Sequence, residues 1–137
     1  MSAMRNPTRR TGAAAGLTAG LATFVALMLL LVGVLQALEG VAVLVHGDFF
    51  AADSRYAYRL PTTAYGVAHL LLGVVAAAIG LGVLQRLAWA RYAAMVVTFV
   101  SAVANFLFIP YYPLWAILLV ALHVAIIWAL AGLDLRR

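Results

Sequence analysis

The sequence predicts an all-α fold, a bundle of four transmembrane helices. The main observation is that residues 11–38, 60–85 and 92–133 contain no Asp, Glu, Lys or Arg. The last stretch is 42 residues long and is interrupted by Pro-Tyr-Tyr-Pro at 110–113, so it contains two spans. A helix needs about 20 apolar residues to cross a bilayer. The three stretches therefore supply four spans.

Composition supports the same class of protein. The chain of 137 residues is 67% hydrophobic and 9% charged, whereas soluble domains contain about 25% charged residues. Cysteine is absent, which excludes disulfides, thiolate metal sites and thiol catalysis. The net charge of +5 comes from arginines that flank the apolar spans. We therefore expect anionic lipid headgroups as the partner of these arginines, and no nucleic acid.

The spans form one transmembrane domain over residues 17–133, preceded by a basic cytoplasmic tail over residues 1–16. The first apolar run is too long for the hydrophobic region of a signal peptide, so we interpret it as a retained helix. All four prolines lie outside the spans, so no kink at proline is expected. The predicted spans are residues 17–45, 63–84, 88–109 and 114–133.

Arginine placement predicts the orientation of the bundle. Both termini and the connection between the second and third spans carry seven arginines, against two in the loop between the first and second spans. Because positively charged residues are enriched on the cytoplasmic side, both termini are expected there. The predicted location is the plasma membrane, with multiple passes.

Glycines predict how the first two spans pack. Gly33 and Gly40 lie seven residues apart in span one, and Gly66, Gly73 and Gly80 repeat the same spacing in span two. Small residues allow helix backbones to approach closely in lipid. We expect these two stripes to face each other.

Polar side chains within the spans give the candidate site. In lipid such groups normally point into the bundle and find partners there. Counted at about 1.5 Å per residue, most of them lie in the outer half of the membrane, with the span-four histidine deepest. The candidate residues are Gln36, Glu39, His69, Asn105 and His123, accompanied by Thr98 and Ser101.

Two interpretations of this cluster stay open. In the structural one, Glu39 pairs with His69, while Gln36 and Asn105 bridge helix backbones. In the functional one, Glu39 and His69 titrate in an outward-facing pocket for a proton, an ion or a small lipophilic molecule. Glu39, His69 and His123 are also ligand types for zinc, but no ligand-spacing motif accompanies them. We predict no metal, haem or other cofactor.

Several segments resemble a family of small four-span actinobacterial membrane proteins, known only as a domain of unknown function. The similarity spans most of residues 17–133 and implies a four-span bundle in an actinobacterial inner membrane; it implies no catalytic residue. The resembling segments are Leu31–Gly40, Tyr65–Gly73, Trp89–Arg91, Ala104–Trp115 and Ile126–Ala129.

The sequence thus predicts an integral membrane protein without a catalytic motif. The first hypothesis is a structural or accessory component of a membrane complex, associated with other membrane proteins or with copies of itself. The alternative is a small transporter or ligand-binding protein that uses the Glu39/His69 pocket. An enzyme ranks third, because nothing in the chain resembles an activated nucleophile or a cofactor motif.

Overall fold

The computed structural model describes residues 7–46, 61–109 and 113–134, and over these ranges it contains four helices and no strand. All four are long and apolar enough to cross a membrane. The prediction of an all-α bundle of four such helices is confirmed, and the chain is a multi-pass membrane protein. The helices are α1 (Pro7–Val45), α2 (Thr62–Leu84), α3 (Ala88–Phe108) and α4 (Pro113–Asp134).

Helix α1 begins ten residues before the predicted start of span one. Residues 7–16, which the sequence analysis assigned to a tail, already belong to the helix. The run Ala13–Ala15 favours helix strongly, and Pro7 suits a first helical position because its missing N–H needs no partner there. The charged loop between α1 and α2 lies outside the described residues.

The helices form a ring in which each packs on two neighbours. Helices α1 and α3 each contact α2 and α4, and the α1–α2 contact is the most extensive. Because successive helices run in opposite directions, the start of α1 and the end of α4 lie at one end of the ring, which we call the terminal end. The end of α1, the start of α2, the end of α3 and the start of α4 lie at the other end, which we call the loop end.

Glycines bring α1 and α2 into backbone contact. A Cβ atom built on Gly33 would lie 2.7 Å from both the backbone nitrogen of Ala77 and the carbonyl oxygen of Gly73. Gly40 meets Leu70 and Gly66 in the same way one heptad nearer the loop end. Since the two helices are antiparallel, this register places Glu39 level with His69.

The surface and the interior have the polarity of a protein that folds in lipid. Large apolar side chains point outward, with Leu114 87% and Trp128 74% exposed, while Gln36 and Asn105 are fully buried. In soluble proteins, large apolar side chains are usually buried and polar ones exposed. Buried polar residues and small residues are typical contacts between membrane helices.

The interior is divided along the bundle axis. Towards the terminal end the core is apolar, with Val25 and Leu29 of α1 packed among Ile79, Ala94 and Leu130. The buried polar side chains lie towards the loop end. The candidate site therefore lies in the loop half of the bundle, next to the apolar core of the terminal half.

Candidate functional site

Every helix contributes a buried polar side chain to one layer of the bundle. Residues three or four apart on a helix share a face, so each helix directs its polar groups inward together. The sequence-predicted residues are all among them. This polar layer consists of Gln36 and Glu39 of α1, Tyr65 and His69 of α2, Thr98, Ser101 and Asn105 of α3, and His123 of α4.

Glu39 is held by a tyrosine from the facing helix. The Tyr65 hydroxyl donates a hydrogen bond of 2.5 Å to Oε1 of Glu39. The Tyr65 ring stacks on His69, one turn along α2, with the ring centroids 3.9 Å apart. A carboxylate, a phenol and an imidazole thus lie in direct succession inside the bundle.

Sequence reasoning missed Tyr65 as a member of this site. The candidates taken from the sequence were carboxyl, amide, aliphatic hydroxyl and imidazole side chains within the spans, and this phenol was not among them. Tyr65 precedes His69 by four residues and is adjacent to Gly66 of the packing stripe. That spacing was a usable signal, because it places the phenol on the face of α2 that meets α1.

The α3 residues bond within their own helix or lack a partner. Asn105 donates through Nδ2 to the carbonyl oxygen of Ser101 at 2.8 Å. Its Oδ1 and the hydroxyl oxygens of Thr98 and Ser101 are buried without a hydrogen-bond partner among the described residues. The structure therefore shows Asn105 bonded along α3, where the structural interpretation expected a bridge between helices.

Gln36 is the most isolated polar side chain of the layer. It is fully buried, and neither amide atom has a hydrogen-bond partner in the part of the chain that the structure describes. The second oxygen of Glu39, Oε2, is in the same state. Buried polar atoms are nearly always hydrogen-bonded to protein or to ordered water. The three atoms therefore remain as possible sites of hydrogen bonding to ordered water.

Each of the two histidines is oriented by a hydrogen bond to a backbone carbonyl of its own helix. Nδ1 of His123 lies 2.6 Å from the carbonyl oxygen of Leu119, and Nδ1 of His69 lies 3.2 Å from that of Tyr65. A carbonyl only accepts, so Nδ1 of each ring carries the proton in these bonds.

The arrangement suits hydrogen bonding and charge neutralisation. Among the described residues, no three His, Cys, Asp or Glu side chains converge to hold a metal ion, so the zinc alternative receives no geometric support. Five oxygens of the polar layer have no hydrogen-bond partner among the described residues: Oε2 of Glu39, Oε1 of Gln36, Oδ1 of Asn105 and the hydroxyls of Thr98 and Ser101. Such oxygens accept hydrogen bonds from water and are the ligand type of hard cations.

Comparison with known proteins identifies the family but no relative of established function. A family model described as "Domain of unknown function (DUF7144)" matches residues 21–134. The match covers all of α2, α3 and α4 and includes every residue of the polar layer. No curated protein and no solved structure matches the chain.

Proposed function

This chain belongs to the DUF7144 family of domains of unknown function, and we propose that it is a small transporter or ligand-binding membrane protein that binds a proton or a small monovalent cation in the polar layer. The site is the set around Glu39 and His69. It is closed in this conformation, since both side chains are buried. Exchange with the aqueous phase then requires opening at the loop end, the nearer surface.

The observation that carries this proposal is that one of the two carboxyl oxygens of Glu39 has no hydrogen-bond partner among the described residues. Tyr65 satisfies Oε1, while Oε2 is buried without a partner among the described residues. A carboxylate inside a membrane is costly unless a proton, a cation or a basic side chain neutralises it. Because Glu39 is the only acidic residue of the layer, one positive charge suffices. Gln36, one turn before Glu39 on the same face of α1, adds an amide oxygen to hold it.

The proposal includes the plasma membrane as location, with both termini in the cytoplasm. The support is the excess of arginine at the terminal end, seven against two, which follows the positive-inside rule. In this orientation the polar layer lies in the outer half of the membrane. The ligand then comes from outside the cell.

A structural or accessory component of a membrane complex is the second candidate. Its support is the outward face of α4, where Leu114 and Trp128 are exposed and can contact another membrane protein as well as lipid. In that case the polar layer would only stabilise the bundle. Purification in mild detergent, with identification of co-purifying proteins, tests this candidate directly.

Thermal unfolding of the purified protein tests the binding proposal. The midpoint is measured across pH and in sodium, potassium or lithium chloride at constant ionic strength, for wild type and Glu39→Gln. We expect the wild-type midpoint to respond to pH or to one cation, and Glu39→Gln to lose that response because it removes the charge and keeps the shape. Thr23→Ala is the control, since Thr23 is exposed and its hydroxyl donates to the carbonyl oxygen of Ala19 in its own helix. An equal response in wild type and Glu39→Gln contradicts the proposal.

A further inference from the structure

A second recess lies at the terminal end, away from the polar layer. It has a volume of about 500 Å³ and opens between the first half of α1 and the turn that joins α2 to α3. Its apolar wall is made of small α1 side chains between Ala14 and Ala22, with Val83, Leu87 and Leu133. Arg86 and Arg91 also line it. We call it the arginine groove.

The backbone at Arg86 is unusual for an arginine. Arg86 has φ 59°, and its N–H donates to Val83 while that of Leu87 donates to Gly82. This is the Schellman pattern that ends many helices, and the residue in the left-handed conformation is usually glycine. An arginine here strains the backbone. The hydrogen bonds of the turn are made by the backbone, so they leave the guanidinium group of Arg86 for another contact.

Arg91 adds a second positive charge to the same groove. It lies one turn into α3, its side chain is partly buried, and its guanidinium group lies 5.9 Å from the Tyr92 ring centroid. Arginine binds phosphate through paired N–H donors in a planar fork. The arginine groove therefore combines two positively charged side chains with an apolar wall.

We propose that the arginine groove binds one anionic phospholipid. The phosphate contacts Arg86 and Arg91, and an acyl chain lies along the small side chains of α1. The combination of charge and apolar wall selects a lipid over a soluble anion, because a free phosphate would leave the wall exposed to water. The groove also lies at the end of the spans, the level at which headgroups are found. This site is independent of the polar layer.

The test compares lipid retention by the full-length protein in nanodiscs. The nanodiscs contain phosphatidylcholine alone or mixed with phosphatidylglycerol, and native mass spectrometry reports the bound lipid. We expect wild type to retain phosphatidylglycerol, and Arg86→Gln and Arg91→Gln each to retain it about five-fold less, the effect of one lost interfacial charge. Arg86→Lys keeps the charge and should keep most of the binding. Glu39→Gln should bind lipid as wild type does.

Arg86→Gly separates the role of the charge from stability. In phosphatidylcholine this variant should unfold at a higher temperature than wild type, because glycine adopts the left-handed conformation without strain. Phosphatidylglycerol should raise the midpoint of wild type more than that of Arg86→Gly, which keeps only Arg91 to contact the phosphate. The proposal is overturned if Arg86→Gln retains phosphatidylglycerol as wild type does, or if inorganic phosphate stabilises wild type as strongly as the lipid.

Discussion

At the scale of single residues, the glycines of α1 and α2 decide whether the two helices can touch. Gly73 faces the backbone of Ala37 and Gly33, and a Cβ atom there would collide with main-chain atoms that cannot turn aside. We predict that Gly73→Ala lowers the free energy of unfolding by about 1–3 kcal/mol, the usual cost of overpacking. Thermal or denaturant unfolding in detergent measures this loss.

Gly16→Ala is the matched control for that substitution. Gly16 also lies in a helix, but a Cβ atom on it would meet nothing within 4 Å. Alanine at this position should be neutral or should stabilise the helix by up to about 1 kcal/mol. Equal destabilisation by the two substitutions would mean that the close backbone contact between α1 and α2 is not what Gly73 provides.

The Tyr65–Glu39 hydrogen bond gives a second residue-scale prediction. Tyr65→Phe removes the donor that satisfies Oε1 of Glu39 and should cost about 1–2 kcal/mol. In the Glu39→Gln background the same change should cost less, because the carboxylate that needs the donor is gone. A double-mutant cycle, read by unfolding in detergent, isolates the coupling.

Tyr92→Phe controls for the loss of a phenol in general. Tyr92 is 57% exposed on α3 near the terminal end, so the loss of its hydroxyl should change the unfolding midpoint little. If the cycle gives no coupling between Tyr65 and Glu39, the hydrogen bond contributes nothing measurable to stability. The polar layer would then be held together by its helices alone.

Sequence and structure differ in an instructive way at this scale. Burial of Gln36, Glu39 and Asn105 was predictable, because the high cost of a polar group in lipid leaves the bundle interior as its place. The hydrogen-bond partners of these side chains were not predictable. Asn105 selects a carbonyl of its own helix, and Glu39 selects Tyr65. Such choices depend on rotamers and on the depth of each helix, which residue spacing does not contain.

At the scale of elements, α1 is the helix that does not match its neighbours. Its 39 residues extend about 58 Å at 1.5 Å per residue, against a bilayer core of about 30 Å. Gly80 near the end of α2 faces Ala26 and Leu30, so the first turns of α1 project past the other spans. The predicted start at residue 17 was the beginning of the long apolar run. The helix starts earlier, at Pro7, because residues with high helix propensity precede that run.

Cysteine labelling tests this projection, since the natural chain has no cysteine. Ala13→Cys, on the projecting part, should react with a membrane-impermeant maleimide in vesicles that expose the terminal end. Leu27→Cys, which is 53% exposed on the outward face of α1, should be protected because that face lies in lipid. Labelling of both residues would place the membrane elsewhere along α1, and labelling of neither would indicate that α1 tilts to bury its full length.

At the scale of the whole molecule, the bundle has two unlike halves. The terminal half contains the apolar core, and the loop half contains polar atoms that lack partners among the described residues. Packed apolar interiors resist deformation, whereas a layer of unsatisfied polar groups gains from admitting water. Opening of the bundle should therefore occur at the loop end, with the terminal half as the fixed base.

The direction in which that end faces decides what the polar layer can bind. The arginine bias predicts that the loop end faces outward. In intact cells, Tyr56→Cys, in the α1–α2 loop, should react with an impermeant reagent, whereas Gln85→Cys, in the α2–α3 turn, should react only after the membrane is permeabilised. Both substitutions lie outside the predicted spans. The opposite labelling pattern would place the polar layer in the cytoplasmic half of the membrane, and the ligand would then come from inside the cell.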